Sequence, residues 1–167
     1  MNVALLTAAG SGTRMHQDIP KQFIHVDNKP VIIHTMEAFQ NHPSIDAILV
    51  VTLESWKSVL EAYAKQFNIS KLKWIVTGGE TGQESIYNGL KKLREVLSDN
   101  DIVMVHDGNR PLVTSEIISD SLATYSKYGN AVAVIPCTEV VFESDDKKSS
   151  NKSTDREKLF RTQTPHT

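Results

Sequence analysis

Residues 2–15 read NVALLTAAGSGTRM. Residues 2–7 form a short apolar run that leads directly into small residues and glycines, which predicts a buried strand followed by a tight loop. Similar apolar runs lie at residues 47–52, 73–76, 102–106 and 131–135. Helical patterns separate them at residues 31–40, 55–67, 85–97 and 114–128. Because parallel strands need crossover connections, this alternation predicts an α/β fold with a doubly wound, mostly parallel sheet.

Composition limits the possible functions. A chain of 167 residues fits a single domain over residues 1–167, and its net charge of −2 argues against general nucleic-acid binding. The single cysteine excludes an internal disulfide framework and a cysteine-rich zinc site. No apolar run approaches the ~20 residues of a membrane span, and the first residues lack a signal peptide's basic start. We therefore expect no membrane contact and a cytoplasmic location.

The segment 139–162 differs from the rest of the chain. Residues 144–154 read SDDKKSSNKST, a polar stretch typical of a solvated loop, and residues 139–143 and 158–162 have strand character. This pattern predicts a protruding β-arm. Because an isolated hairpin is marginally stable in water, we expect the arm to contact a second subunit and to form a homodimer.

The loop after the first strand has the composition of an anion site. Small residues let backbone N–H groups approach a phosphate closely, and two basic side chains nearby add positive charge. The loop is neither a P-loop nor a full dinucleotide fingerprint, since Met15 stands where the third glycine belongs. A plain glycine turn with solvated basic residues is the alternative. The candidate phosphate ligands are Ala8, Ala9, Gly10, Gly12, Arg14 and Lys21.

Two further motifs follow predicted strands. In GGETGQES (78–85), Ser85 can cap the next helix or bind a base or ribose. In HDGNRP (106–111), the Asp107 carboxylate is a hard oxygen ligand suited to Mg²⁺, and Arg110 adds an anion-binding fork. A simple turn is the alternative, because Asp, Gly, Asn and Pro all form turns.

Together these stretches resemble a known enzyme family. The segments AAGSGTRM with PKQF, GGE followed by Ser85, HDGNRP and DREKLFRTQTP resemble the polyol-phosphate cytidylyltransferases. That family includes the 2-C-methyl-D-erythritol 4-phosphate and the ribitol-5-phosphate enzymes. The resemblance implies a Rossmann-like nucleotidyltransferase fold and a reaction that needs CTP and Mg²⁺, joins CMP to a polyol phosphate and releases pyrophosphate.

The resemblance also implies residue roles. The glycine loop, Arg14 and Lys21 would hold the triphosphate, while Asp107 would lie at the metal and the α-phosphate with Arg110 in support. Arg156 would bind the polyol phosphate, in the neighbouring subunit's site. Facing the cytosine and ribose would be Gly79, Glu80 and Ser85. Gly82 and Val140 stand where methylerythritol-type sequences commonly carry an arginine and a threonine, which leaves the acceptor open.

Two other functions are compatible with the motifs. A sugar-1-phosphate nucleotidyltransferase with another nucleoside triphosphate shares the glycine loop and the Pro-Lys pair, and a non-catalytic nucleotide-binding module is the non-enzyme alternative. Family members continue past the QTP element, whereas this chain ends at Thr167. We therefore expect the family's C-terminal segment to be absent. The half that binds the nucleotide should be complete within residues 1–136, whereas the half that binds the acceptor phosphate should bind it weakly.

Overall fold

A computed structural model describes residues 1–10, 19–152 and 154–167. The strands in chain order are β1 (Asn2–Ala8), β2 (His25–Val26), β3 (Lys29–Pro30), β4 (Ala47–Thr52), β5 (Leu72–Thr77), β6 (Ile102–Asp107), β7 (Val132–Pro136) and β8 (Phe160–His166). The helices are α1 (Val31–Gln40), α2 (Lys57–Gln66), α3 (Gly82–Arg94) and α4 (Ser115–Tyr128). Short 3-10 turns cover Lys21–Phe23, Glu54–Trp56 and Arg156–Lys158.

The main sheet has six strands in the order β5-β4-β1-β6-β8-β7. The first four are parallel, and β8 runs antiparallel to both β6 and β7. All six residues of β4 are buried, as expected of a strand covered on both faces. The predicted α/β class with a mostly parallel sheet is therefore confirmed.

Helices cover both faces of this sheet. Alternate residues of β1 point to opposite sides, so Ala4 and Leu6 join the core beneath α1, α2 and α4. Val3 and Leu5 join a second, smaller core that includes Leu93 of α3. This arrangement leaves the carboxyl ends of the parallel strands open, where a ligand site is expected.

Helix ends follow local capping chemistry. Helix α1 has its predicted bounds, and α4 ends at Gly129, whose φ of 82° lies in the left-handed region that favours glycine. Helix α3 begins at Gly82 rather than at the predicted residue 85, because Thr81 and Glu84 form a reciprocal capping box. The predicted helix 55–67 divides into the turn Glu54–Trp56 and the helix α2.

The predicted β-arm over residues 139–162 needs correction. Residues 139–143 form no strand, and Val140 and Phe142 are exposed without a partner strand. The strand character near residue 160 belongs to β8, which lies inside the main sheet between β6 and β7. A protruding two-stranded arm is not seen in the described part of this segment.

The insertion of β8 also makes one expectation about the core wrong. In the described residues β7 reaches the rest of the sheet only through β8, where Val134 pairs with Thr162 and Pro136 with Phe160. The sheet is therefore not complete within residues 1–136. Across the described ranges, no helix is both long and apolar enough to cross a membrane.

Candidate active site at the carboxyl ends of the strands

A cavity of about 860 Å³ opens where β1 and β6 end and where α3 begins. The structure brings most of the predicted site residues to this one cleft: Ala8, Ala9, Gly10, Lys21, Gly79, Glu80, Ser85, Asp107 and Arg110. Two predicted phosphate ligands, Gly12 and Arg14, lie outside the described residues. Arg156 lies in an exposed turn and does not line the cleft.

Side-chain hydrogen bonds hold the backbone at the end of β1. The Ala8 carbonyl accepts from the Gln22 amide at 2.5 Å and from the Thr52 hydroxyl at 3.4 Å. Lys21 precedes Gln22 in the turn Lys21–Phe23, and the buried ring of Phe23 stacks on Trp56 with 4.4 Å between centroids. The lysine therefore extends from a well-packed turn at the cleft wall.

The loop before α3 is held by side chains from the first turn of that helix. The Ser85 hydroxyl donates to the Thr81 carbonyl at 3.0 Å and accepts from the Gly79 N–H at 3.1 Å. The Glu84 carboxylate accepts from the N–H groups of Glu80 and Thr81. Thr81, not Ser85, is thus the helix cap, and Ser85 fixes the loop that faces the cleft.

The loop after β1 and the loop before α3 are in direct contact. A Cβ placed on Gly78 would lie 2.3 Å from the Ala9 Cβ, so only glycine permits this approach. The Gly78 N–H also donates to the Thr52 carbonyl at 2.9 Å. The two glycine segments therefore form one continuous wall of the cleft.

Asp107 lies at the centre of a polar network on the opposite wall. Its carboxylate accepts from the Thr7 hydroxyl at 3.3 Å and from the Arg110 Nε at 2.7 Å. The Arg110 Nη1 donates to the Gln163 Oε1 at 2.7 Å, and the Asp107 N–H donates to the Thr164 hydroxyl at 3.4 Å. Strand β8 thus supports the Asp107–Arg110 pair from outside the parallel part of the sheet.

Buried side chains hold the turn that carries this pair. The Thr35 hydroxyl donates to the Gly108 carbonyl at 2.8 Å, and the His106 Nε2 donates to the Arg110 carbonyl at 3.0 Å. Burial lowers the pKa of His106, while the hydrogen bond to the Arg110 carbonyl and the Asp107 charge act in the opposite direction. The His106 Nδ1 has no hydrogen-bond partner among the described residues.

Sequence reasoning missed several residues around the cleft. Gln22 and Asn109 belong to the PKQF and HDGNRP stretches, so their position in a motif was the available signal. Gln163 belongs to the QTP element, yet nothing in the sequence indicates that it reaches Arg110. Leu53 also lines the cleft and carries no sequence signal.

Comparison with known proteins gives a consistent result. The family model described as IspD, 2-C-methyl-D-erythritol 4-phosphate cytidylyltransferase, matches residues 2–167. A ribitol-5-phosphate cytidylyltransferase of Lacticaseibacillus paracasei is 42% identical over 165 residues, which cover 99% of this chain and 70% of that protein. A 2-C-methyl-D-erythritol 4-phosphate cytidylyltransferase of Clostridium botulinum is 38% identical over 164 residues, covering 98% of this chain and 70% of that protein.

Solved structures agree with this assignment. The 4-diphosphocytidyl-2C-methyl-D-erythritol synthase of Anaerococcus prevotii matches with a TM-score of 0.81 at 24% identity, covering 99% of this chain and 68% of that one, and shows the fold. The Francisella tularensis 2-C-methyl-D-erythritol 4-phosphate cytidylyltransferase matches with a TM-score of 0.76 at 28% identity, covering 99% of this chain and 70% of that one. The chain therefore belongs to the 2-C-methyl-D-erythritol 4-phosphate cytidylyltransferase (IspD) family.

Proposed function

We propose that this protein transfers CMP from CTP to a polyol phosphate and releases pyrophosphate. One observation carries the proposal: in a chain of this family, a glycine wall, Lys21 and the Asp107–Arg110 pair converge on one cleft. Clefts at the carboxyl ends of parallel strands are the usual nucleotide sites of α/β sheets. The cleft is large enough for a nucleotide, since ligand pockets span ~300–1,000 Å³.

The two glycine loops would bind different parts of CTP. The backbone around Ala9 and Gly10, together with Lys21, would hold the triphosphate through N–H groups and positive charge. The loop at Gly79 and Glu80, fixed by Ser85, would face the cytosine and ribose. Gly12 and Arg14 complete the proposed phosphate site on sequence grounds.

The transfer step is an in-line displacement at phosphorus. An oxygen of the acceptor phosphate forms a bond to the α-phosphorus, and the bond from that phosphorus to the bridging oxygen breaks. Pyrophosphate leaves with the electron pair. Lys21 and the loop N–H groups would stabilise the charge that develops on the leaving oxygens. No covalent enzyme intermediate is required, so the buried Cys137 needs no part in the reaction.

The family implies Mg²⁺, and the residues present fit a cation shared with substrate. In the described part of the chain, no cluster of three or more His, Cys, Asp or Glu side chains offers a cage made of protein alone. Mg²⁺ usually takes one or two carboxylates together with substrate phosphates, and the Asp107 carboxylate at the cleft suits that mode of binding. When bound, the ion would supply charge neutralisation at the phosphates.

For the acceptor we propose ribitol 5-phosphate ahead of 2-C-methyl-D-erythritol 4-phosphate. Relatives named for ribitol 5-phosphate are 42% and 46% identical to this chain, over 165 and 149 residues. A relative named for the methylerythritol compound is 38% identical over 164 residues. Both acceptors are five-carbon polyol monophosphates, so the reaction at phosphorus is the same.

The decisive assay measures pyrophosphate release with CTP, Mg²⁺ and each of the two acceptors. We expect turnover with CTP, a larger kcat/KM for ribitol 5-phosphate, and little turnover when UTP, ATP or GTP replaces CTP. Turnover with another nucleotide and a sugar 1-phosphate would instead support the alternative nucleotidyltransferase. CTP binding without turnover of either acceptor would support a non-catalytic nucleotide-binding module.

We also propose a homodimer formed through the β7–β8 side. Val134, Pro136 and Phe160 share a face of this ladder, and the Val134 and Phe160 side chains are 46% and 56% exposed. Phe142, in the connection between the two strands, is 63% exposed. Exposed apolar surface on a strand ladder marks contact sites, and a two-fold pairing would cover it.

The dimer would place Arg156 of one subunit near the acceptor site of the other. Sedimentation at micromolar concentration should show a dimer, and a Val134→Lys substitution should shift it to monomer. The matched control is Val26→Lys, because Val26 is also exposed, at 56% against 46% for Val134, but lies in the β2–β3 hairpin away from this face. A monomeric parent protein would contradict this proposal.

A further inference from the structure

Among the polar residues that line the cleft, Gln22 is the most buried, with 1% exposure. Its amide nitrogen donates to two carbonyl groups at the exit of β1, that of Ala8 at 2.5 Å and that of Gly10 at 3.2 Å. One side chain thus uses both of its N–H bonds on the same loop. Burying an amide is costly unless it is hydrogen-bonded, and these two bonds meet that requirement.

These contacts determine which way the loop's peptide groups face. In a trans peptide the carbonyl and the next N–H point in opposite directions. Because the Ala8 carbonyl points at Gln22, the Ala9 N–H points away from it. Ala9 and Gly10 both line the cleft, so the glutamine selects the side of the loop that is offered to a ligand.

The same residue fixes the neighbouring lysine. Gln22 and Phe23 are both buried, whereas Lys21 is partly exposed at the cleft. Phe23 anchors the turn on Trp56, and its N–H donates to the Pro20 carbonyl at 2.8 Å. Gln22 is therefore the link in this turn that joins the lysine directly to the glycine loop.

We propose that Gln22 is a positioning residue that sets the spacing between the Lys21 ammonium group and the N–H groups of the glycine loop. The inference rests on the proposed function, since both groups must reach one triphosphate. A displacement of ~1 Å at reacting groups can lower rates ~100-fold, so a loosened loop should weaken transition-state binding more than the fold. Gln22 itself touches neither the reacting phosphorus nor the leaving oxygens in this role.

The test compares two glutamines that make similar bonds in different places. Gln22→Met keeps the length of the side chain and removes the donor. The matched control is Gln40→Met, because the Gln40 amide bridges Ser70 and Lys71 at 2.9 Å each and does not line the cleft. Gln22→Asn retains a donor on a shorter side chain and serves if the Met variant is unfolded at the assay temperature.

We expect Gln22→Met to lower kcat/KM for CTP at least ~10-fold, as a misplaced electrostatic contact does, with the KM for the acceptor within ~2-fold of wild type. Gln22→Asn should give an intermediate loss, and Gln40→Met should stay within ~2-fold of wild type although it also removes hydrogen bonds. A folded Gln22 variant with wild-type kcat/KM for CTP would overturn the inference. So would an equal loss in the Gln40 control.

A measurement without nucleotide separates this inference from the proposed function. Amide hydrogen exchange of a peptide that carries Ala9 and Gly10 should be faster in Gln22→Met than in wild type and unchanged in Gln40→Met. Unchanged exchange in Gln22→Met would refute the anchoring role even if CTP turnover is found. Faster exchange in Gln22→Met, together with a wild-type protein that has no CTP activity, would retain the anchor and reject the proposed function.

Discussion

The two sides of the main sheet are built differently. Strands β1 and β4 are buried on both faces and carry the cleft at their carboxyl ends, whereas four of the five residues of β7 are exposed. Groups that must bind a transition state gain from a rigid support, because their orientation is then set before the substrate arrives. Exposed apolar residues on β7 suit contact with another molecule instead.

The loops on the two sides of the sheet also differ in how firmly their backbone is held. Buried side chains of Gln22, Thr35 and His106 hold the backbone carbonyls of the cleft loops. The connection between β7 and β8 bonds mainly to itself, as where the Asp146 carboxylate accepts from the N–H groups of Lys148 and Ser149. Substitutions on the cleft side should therefore affect catalysis strongly, and substitutions in exposed ion pairs on the β7–β8 side should have small effects.

Lys21→Ala is expected to have the largest effect. Removing a charge that stabilises the leaving phosphates should lower kcat at least ~100-fold. Lys91→Ala, on an exposed position of α3, is the control and should retain wild-type turnover. Pyrophosphate release normalised to folded protein is the measurement, and a Lys21→Ala enzyme with full activity per folded molecule would remove Lys21 from the triphosphate site.

Asp107→Asn is expected to have the second-largest effect on turnover, with kcat lowered at least ~10-fold. The amide retains the size of the side chain and can still bond to Thr7, but it lacks the charge that a divalent cation requires. The Mg²⁺ concentration for half-maximal activity should rise, while Asp120→Asn on the exposed face of α4 should leave it unchanged. An unaltered Mg²⁺ titration in Asp107→Asn would contradict a metal role for this carboxylate.

A pair of glycines tests the contact between the two glycine loops. Gly78→Ala would place a Cβ 2.3 Å from the Ala9 Cβ, and the backbone must move, which should lower the free energy of unfolding by ~1–3 kcal/mol. Gly82→Ala meets nothing within 4 Å and lies in the first turn of α3, so it should be neutral or stabilising by up to ~1 kcal/mol. The measurement is urea unfolding of both variants. Equal free energies of unfolding would contradict the described contact between the two loops.

The cleft side of the fold was predictable from the sequence because its signals are local. An apolar run followed by small residues marks β1 and its loop, and Pro30 with Gly129 marks the ends of two helices. The three motifs follow parallel strands, and such strand ends meet at one edge of the sheet. Helix α3 was less predictable, because Gly89 and not an apolar side chain packs on Leu5 and Val51, where a close helix–sheet contact favours the smallest residue.

The β7–β8 side was not predictable because its pairing is long-range. Strand β8 reads FRTQTPH, a polar sequence without the apolar run of a buried strand. Its place is set by pairing with β7 and β6, from which it is separated by many residues. The apolar residues 140–142 suggested a strand, yet they find no partner strand in the described structure.

The burial of His106 beside the cleft should make the free energy of unfolding depend on pH. Burial lowers its pKa in the folded state below the value of ~6.5 expected when unfolded. As pH falls below ~6.5 the unfolded chain binds a proton that the folded chain excludes, so stability should decrease by at most ~1.4 kcal/mol per pH unit. Above pH 7 this contribution should be constant. Urea unfolding in chelator between pH 7 and pH 5 should show the slope, and His106→Gln should flatten it; an equal slope in both proteins would contradict the assignment.

The smallest effect is expected for an ion pair on the β7–β8 side. Arg161 donates to the Glu139 carboxylate, and the two side chains are 49% and 54% exposed, so water weakens their attraction. Arg161→Gln should change the free energy of unfolding by less than ~1 kcal/mol and leave turnover intact.

The matched pair is Lys29–Glu37, bonded at 2.7 Å with side chains only 25% and 31% exposed. Lys29→Gln should have the larger effect, since it leaves a less hydrated carboxylate unpaired and removes the lysine from the ring of Phe67. If Arg161→Gln is the more destabilising of the two, the β7–β8 side is more tightly ordered than its exposure indicates, and the contrast between the two sides of the sheet fails.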